Sequence, residues 1–216
     1  MNCAIVQFHT EGYQELVNLT DPNTDEYCKK HGYHRDITIL KEHSWDIGFR
    51  RLERVLEFFD MGRGPDVIWV LGVDTIIMNH HILIENRMDP RADFIIAKDC
   101  NDINADSFLI RNSIWGNRFL RHVLSTEEEF MKTQFVEQAA IAEAIELPHN
   151  KEHVKIVPQR AINSYLYADG LNPEWGNKWI DHPGKYGRGD WIIHLPGLPL
   201  HVRIETAKKY LSLVVK

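Results

Sequence analysis

The sequence predicts an α/β fold in which a mostly parallel central sheet is flanked by helices. Three observations carry that expectation. The stretch Pro65–Asn79 contains an unbroken apolar run, Val67–Leu71, entered through a Pro-Asp turn and rich in Val, Ile and Trp. Such a run reads as a strand buried on both faces. Upstream, Trp45, Phe49, Leu52, Leu56 and Phe59 recur at three- and four-residue spacing, the period of an amphipathic helix. Before that helix, Asp36–Leu40 alternates and then turns apolar, so strand, helix and strand succeed one another as in a parallel crossover unit. At 216 residues the chain can bury one sizeable core. With no repeat or linker to divide it, one domain over 1–216 is expected.

The remaining elements follow in order. Cys3–Phe8 is a first strand with a polar exit, His9-Thr10-Glu11-Gly12, a common place to hold a nucleotide and an equally common way to start any α/β domain. Asp25–His31 has helical character and ends at Gly32, as a C-terminal cap would. Ser44 is a good N-cap for the amphipathic helix, with Arg50, Arg51, Glu53 and Arg54 facing away from its apolar side, and Gly62-Arg63-Gly64-Pro65 stops it. Thr75–Met78 resumes the apolar run. Asp93–Lys98 is another strand, emptying into a loop dense in small polar groups, Asp99–Asp106, before a further strand at Ser107–Ile110. A helix carries Trp115, Phe119 and Val123. Thr126 to Glu129 has the form of a capping box, and Glu137–Ala142 continues in strong helix formers. There Glu137 and Gln138 read by propensity as an exposed pair. Val154–Val157 is a strand. The next two dozen residues after Tyr165 are Gly-, Asn-, Pro- and Trp-rich without periodicity, as a lid or binding loop would be. Asp190–His194 is a last strand, and a helix from about Arg203 uses Ile204, Ala207, Leu211 and Val214.

Composition narrows the functional classes. The formal charge is -6 and the basic residues are scattered, so no nucleic-acid footprint is present. No apolar run approaches the roughly 18 residues of a membrane span, and the N-terminus lacks a signal-peptide pattern. Cys3, Cys28 and Cys100 are three in number and form no CxxC, which suits buried thiols in a reducing compartment. The expectation is a soluble, cytoplasmic protein. His80 and His81 are adjacent and therefore point apart, which argues against a shared metal.

Asp74 is the chemical oddity of the central run. A carboxylate inside an apolar stretch is costly unless it is hydrogen-bonded, paired or bound to a metal, and ligands gather at the carboxyl ends of parallel strands. A buried Asp capping a neighbouring turn satisfies the same pattern. His194 ends an apolar strand, and a lone His there is more often a satisfied structural group than a ligand.

Four blocks occur in fixed order: Val67–Asn79, Asn104–Ser113, Glu137-Gln138 with Ile156–Tyr165, and Gly189–Gly197. Together they resemble the galactosyl/mannosyl/xylosyltransferase family that includes yeast Golgi α-mannosyl- and α-galactosyltransferases and plant xyloglucan xylosyltransferases. The resemblance spans roughly Ser44 to Gly197. It implies the GT-A fold, a Rossmann-like nucleotide-sugar-binding α/β domain. It also implies transfer from a UDP- or GDP-sugar donor to a carbohydrate or glycoconjugate acceptor, with retention of configuration. The family's Asp-x-Asp motif and a later His hold a divalent cation, Mn2+ or Mg2+, and by position these are Asp74 and His194. Glu137 and Gln138 match the pair near the reacting sugar. Asn104 and Asp99 match the donor-sugar side, Asp106 lies in the same block, Thr10 at the exit of the first strand is expected at the nucleotide, and Val73 and Gly197 are expected to bind the donor.

Four departures stand out. Gly72 replaces the first Asp of the motif, Asp106 replaces a Gly in the Asn104 block, Ala139 occupies a place that is often polar, and no Lys follows Gly197 where some members carry one. The absence of an anchor suggests a bacterial or viral setting. Two other readings are a GT-A-like module that binds a nucleotide sugar or a partner without turnover, and a nucleotide-sugar hydrolase or nucleotidyltransferase. The second would need a metal cluster richer in carboxylates.

Overall fold

The structure, a computed structural model, describes residues 1–41, 46–166 and 182–216. Ser44 and Trp45, and most of the Gly- and Trp-rich stretch read as a lid, lie outside the described residues. The central sheet has six strands, β1 (Cys3–Thr10), β2 (His34–Leu40), β3 (Val67–Leu71), β5 (Phe94–Asp99), β6 (Asp102–Arg111) and β7 (Val154–Val157), in the order β2-β1-β3-β6-β5-β7. Only β6 runs against the other five. Two short strands, β4 (Thr75–Ile77) and β8 (Ile192–His194), pair antiparallel just beyond the end of β3.

Alternation along the strands sorts the core into two layers. Ala4, Val6, Ile68, Val70, Ile96 and Phe108 face the helices α2 (Ile47–Asp60), α3 (Ile114–Ser125) and α5 (Val136–Glu146). Cys3, Ile5, Val67, Trp69, Ile95 and Leu109 face the other way, onto Tyr27 and Cys28 of α1 (Gln14–His31) and onto Trp191. Trp69 and Trp191 stack with ring centroids 4.0 Å apart, tying β8 to the central sheet. The last helix, α6 (Leu200–Leu211), packs on α1 and β4 through Ile204 and Ala207. No described helix is long and apolar enough to cross a membrane.

Several elements differ from the sequence reading, each for a physical reason. Helix α1 starts at Gln14, well before Asp25, and runs through Pro22. Its buried face is partly polar. Thr20 donates to the carbonyl of Val73 (2.9 Å), and the Asn23 amide both donates to Ile77 O (3.0 Å) and accepts from Ile77 N (2.9 Å). Those side chains act as an extra strand edge for β4, so no apolar stripe announces the helix. It does end at Gly32, with φ 69°, the left-handed cap the sequence predicts. In α2 the buried face includes Arg51 and Val55, so Arg51 does not face solvent. The Thr126 side chain makes no N-cap hydrogen bond. Its hydroxyl donates back to Val123 O at 2.8 Å, and only the four-residue α4 (Glu127–Phe130) follows.

The polar loop expected over Asp99–Asp106 is instead a tight turn at Cys100-Asn101 and the first half of β6. Its register against β5 jumps from Ile96↔Phe108 to Ala97↔Asn104. Residues 105–107 therefore have no partner on β5, and an irregularity of this kind re-aims side chains.

Candidate functional site

The connector Gly72-Val73-Asp74 between β3 and β4 is held on all sides. Gly72 N donates to Asp106 O (2.7 Å), Thr20 holds Val73 O, Thr75 donates to Gly72 O (2.6 Å), and Leu195 N donates to Asp74 O (3.0 Å). This fixes the buried Asp74 carboxylate at the carboxyl end of β3, where the sequence places it. Arg203 Nη1 lies 2.9 Å from Asp74 Oδ2, and His194 Nε2 lies 3.3 Å from Oδ1. Burial works to raise the Asp74 pKa, but the imidazole of His194 and the guanidinium of Arg203 outweigh it. The carboxyl is held well below the usual carboxylate range.

His194 is fully buried. Its Nδ1 sits 2.8 Å from Asn163 Oδ1, and a carbonyl oxygen can only accept, so Nδ1 carries a proton and Nε2 is the ring atom turned to Asp74, an ion-pair donor when the ring is charged and a lone pair when it is neutral. That Nε2 makes no hydrogen bond, despite its closeness to Asp74. The polar chain continues outward. Asn163 Nδ2 donates to Tyr165 Oη (3.3 Å), and Tyr165 Oη donates to Asp99 Oδ2 (2.5 Å). Asn104 Nδ2 donates to the same Asp99 oxygen (3.2 Å), and Asn104 Oδ1 accepts from Asp106 N (3.1 Å).

Arg51 joins the opposite wall. Its Nη1 donates to Asp106 Oδ1 (2.6 Å) and its Nη2 to Glu137 Oε1 (2.8 Å). Glu137 and Gln138 are therefore not an exposed pair. Burial pushes the Glu137 carboxyl above its usual range, Arg51 pulls it down and the Asp106 charge adds to the rise. Gln138 Oε1 accepts from Ala105 N (3.0 Å). The turn into α5 is strained: Val136, β-branched and buried, adopts φ 41°, a conformation that such residues rarely take.

Thr10, Val73, Asp74, Asp106 and Gly197 line one cleft of about 250 Å3, with His9, Tyr13, Arg51 and Arg203 completing its rim. Asp99, Asn104, Glu137 and Gln138 do not form this wall themselves. They stand behind it, linked through Arg51, Asp106 and Ala105. Arg51, Arg203, Asn163 and Tyr165 do not stand out individually in the sequence. A signal existed for Arg51, which shares a helical face with Val55 and Phe58 four and seven residues on. Asn163 and Tyr165 lie in the Ile156–Tyr165 block, and nothing local marked Arg203.

Carboxylate oxygen and imidazole nitrogen are donors that a hard divalent cation accepts, and Asp74 borders the open cleft. The Nε2 of His194, fixed by Asn163 from behind, is the arrangement a metal-ligating histidine takes. Among the described residues no three acidic, imidazole or thiol groups form a ready-made metal cage, so Asp74 and His194 fit an open site.

Comparison with known proteins gives this geometry a setting. The chain is 28% identical to an uncharacterised α-1,2-galactosyltransferase of Schizosaccharomyces pombe, covering 81% of this chain and 54% of the relative. It is 24% identical to the probable α-1,6-mannosyltransferase MNN10 of Saccharomyces cerevisiae, covering 74% and 51%. The chain thus spans about half the length of these relatives. Among solved structures, a glycosyltransferase involved in glycosylation of the major capsid of PBCV-1 superposes with a TM-score of 0.76 at 16% identity, covering 97% of this chain and all of that one. The galactosyltransferase LgtC, in complex with donor and acceptor sugar analogues, gives 0.58 at 12% identity, covering 97% and 94%. These neighbours share the GT-A architecture expected from the sequence. The family model for the galactosyl transferase GMA12/MNN10 family matches residues 88–198, just over half of the chain, and the chain belongs to that family.

Proposed function

We propose that this chain is a glycosyltransferase that moves a sugar from a nucleoside-diphosphate donor, a UDP- or GDP-sugar, to a carbohydrate or glycoconjugate acceptor with retention. The observation that carries the reading is the meeting of Asp74 Oδ1 and His194 Nε2, 3.3 Å apart, at the end of β3, where Asp74 lines the cleft and His194 lies buried behind it. These two side chains would hold Mn2+ or Mg2+, which when bound neutralises charge developing on the departing diphosphate.

The chain's own residues supply the remaining roles. His9, Thr10 and Tyr13 frame the nucleoside side of the cleft. Arg203, whose guanidinium also lies 5.5 Å over the Tyr13 ring, adds a fixed positive charge where the family's Lys after Gly197 is missing. Asn104 and Asp99, joined by one hydrogen bond, would shape the donor-sugar side from behind the wall, through the Asn104 contact with Asp106. Glu137 and Gln138 lie beyond Arg51 and β6, where a carboxylate and an amide stabilise positive charge at the anomeric carbon and orient the acceptor.

Gly72 favours a second reading, a GT-A-like module that binds a nucleotide sugar or partner without turnover. Calorimetry of UDP and GDP binding, with and without Mn2+, on wild type and Asp74→Asn separates the two. Metal-dependent binding lost in Asp74→Asn, followed by acceptor-dependent sugar transfer, is the result expected of the transferase. Metal-independent binding unchanged in the variant would sink it in favour of the module.

A further inference from the structure

One carboxylate of the cleft has no part in holding the cation or the nucleotide. Asp106 lines the cleft beside Gly72 and Arg51, with 40% of its side chain exposed. Three contacts fix it. Gly72 N donates to Asp106 O (2.7 Å), Asp106 N donates to Asn104 Oδ1 (3.1 Å), and Arg51 Nη1 donates to Asp106 Oδ1 (2.6 Å). Arg51 is itself buried and held from behind by Glu137, so the carboxylate is oriented before any ligand arrives. Gly72 leaves the room for it: a Cβ built there would lie only 3.4 Å from Asp106 Cβ.

The two oxygens of Asp106 are differently engaged. Oδ1 belongs to Arg51. Oδ2 stands 3.8 Å from His194 Nε2, beyond hydrogen-bond reach, and among the described residues it accepts no hydrogen bond. Nor does Arg51 need this carboxylate for its charge, since Glu137 already supplies one at 2.8 Å, while Arg203 is engaged with Asp74. An ionised carboxylate only accepts hydrogen bonds, and so do diphosphate oxygens. Asp106 therefore turns the diphosphate away, and the group that meets Oδ2 must carry its own hydrogen. His9, Thr10 and Tyr13 frame the nucleoside side of the cleft. Asn104 and Asp99 back Asp106 from the sugar side, which makes sugar hydroxyls the matching groups.

We infer that Asp106 Oδ2 accepts a hydrogen bond from a hydroxyl of the transferred sugar and so helps to decide which sugars the cleft takes. A sugar with that hydroxyl gains a charge-assisted hydrogen bond, and one lacking it leaves the carboxylate unmet. The inference rests on the transferase reading above, and not on the cation.

The test is calorimetry in buffer containing Mn2+. UDP and GDP are compared with UDP-galactose, UDP-glucose, UDP-xylose and GDP-mannose on wild type, Asp106→Gly and Asp106→Asn. Arg51 keeps Glu137 in both variants, so neither strands a buried charge. The nucleotide sugar that wild type binds most tightly is expected to bind Asp106→Gly about tenfold or more weakly. Its bare nucleoside diphosphate is expected to bind the variant as tightly as wild type or more tightly. Removing a negative charge would by itself tighten both ligands, and a folding defect would weaken both, so neither imitates a loss confined to the nucleotide sugar. Unchanged affinity for the nucleotide sugar would overturn the role of Asp106 and leave the transferase reading standing. Parallel loss of the bare diphosphate would overturn it in favour of a structural role. Wild type that takes none of these ligands would overturn the transferase reading and this inference together. If Asp106→Gly fails to fold, Asp106→Asn, which keeps an oxygen for Arg51, decides by the same comparison.

Discussion

The Glu137 carboxyl fills the space that any side chain at residue 48 would need. A Cβ built on Gly48 would fall 1.8 Å from Glu137 Cδ and 2.0 Å from Oε2. Two effects then oppose one another in Gly48→Ala. Alanine favours a helix interior by about 1 kcal/mol, whereas displacing Glu137 breaks a partly buried ion pair with Arg51 and leaves charge unmatched, a cost of about 3–5 kcal/mol where burial is complete. The clash is the larger. Gly48→Ala is expected to lower the melting temperature and to reduce sugar transfer together. A more stable, fully active variant would show that Glu137 has another place to go.

Asn163 sets the tautomer of His194 without approaching the cleft wall. Asn163→Leu keeps the volume and removes the acceptor for Nδ1–H, so the imidazole is free to rotate or carry its proton on Nε2. Loss of such a partner typically costs 10–100-fold in metal affinity. Mn2+ titration followed by paramagnetic resonance should show a drop of about that size, with the secondary structure unchanged by circular dichroism.

His80 makes the fold acid-sensitive in a defined window. Its Nε2 accepts from Asn23 Nδ2 (3.1 Å), and its Nδ1 is buried without a hydrogen bond. Burial, reinforced by Lys30 and Lys216 and opposed by Glu26, pushes its pKa down to about 4. The unfolded chain takes up this proton near the ordinary value of about 6.5, so below that pH the unfolded state binds more protons. The stabilising contribution is complete above about pH 6.5, declines as pH falls, and is gone below about 4. Urea midpoints should show on the order of 2 kcal/mol of this loss by pH 5. His80→Gln should flatten that part of the profile, and identical profiles would rule His80 out.

Much of the scaffold was legible because its elements are periodic. Val67–Leu71 announced a buried strand, the stripe from Phe49 to Phe59 announced α2, and Gly32 announced the end of α1. What escaped was polarity turned inward. Thr20 and Asn23 are buried to serve the Val73 and Ile77 backbone, so α1 lacked an apolar face. Asn104 and Asp106 sit in a strand because β6 is irregular there. Asp74 was recognisable as a candidate by its position at a strand end, and His194 only through the family resemblance. Arg51 and Arg203 were not, since a charged residue in a helix reads as solvated until its partners are known. Those partners, Glu137 and Asp74, come from distant parts of the chain and meet the guanidiniums only through tertiary packing.

The pairing of Asp74 with Arg203 has a consequence for biosynthesis. Translation delivers the carboxylate first, and its guanidinium partner only after more than half the length of the chain has followed. Until α6 leaves the ribosome and docks on α1, the β3–β4 connector carries a negative charge without that counter-charge, and the strand core around it is incomplete. Chains arrested before residue 203 should therefore be conspicuously protease-sensitive at this connector. The cleft is finished late, by the same docking event that closes the fold.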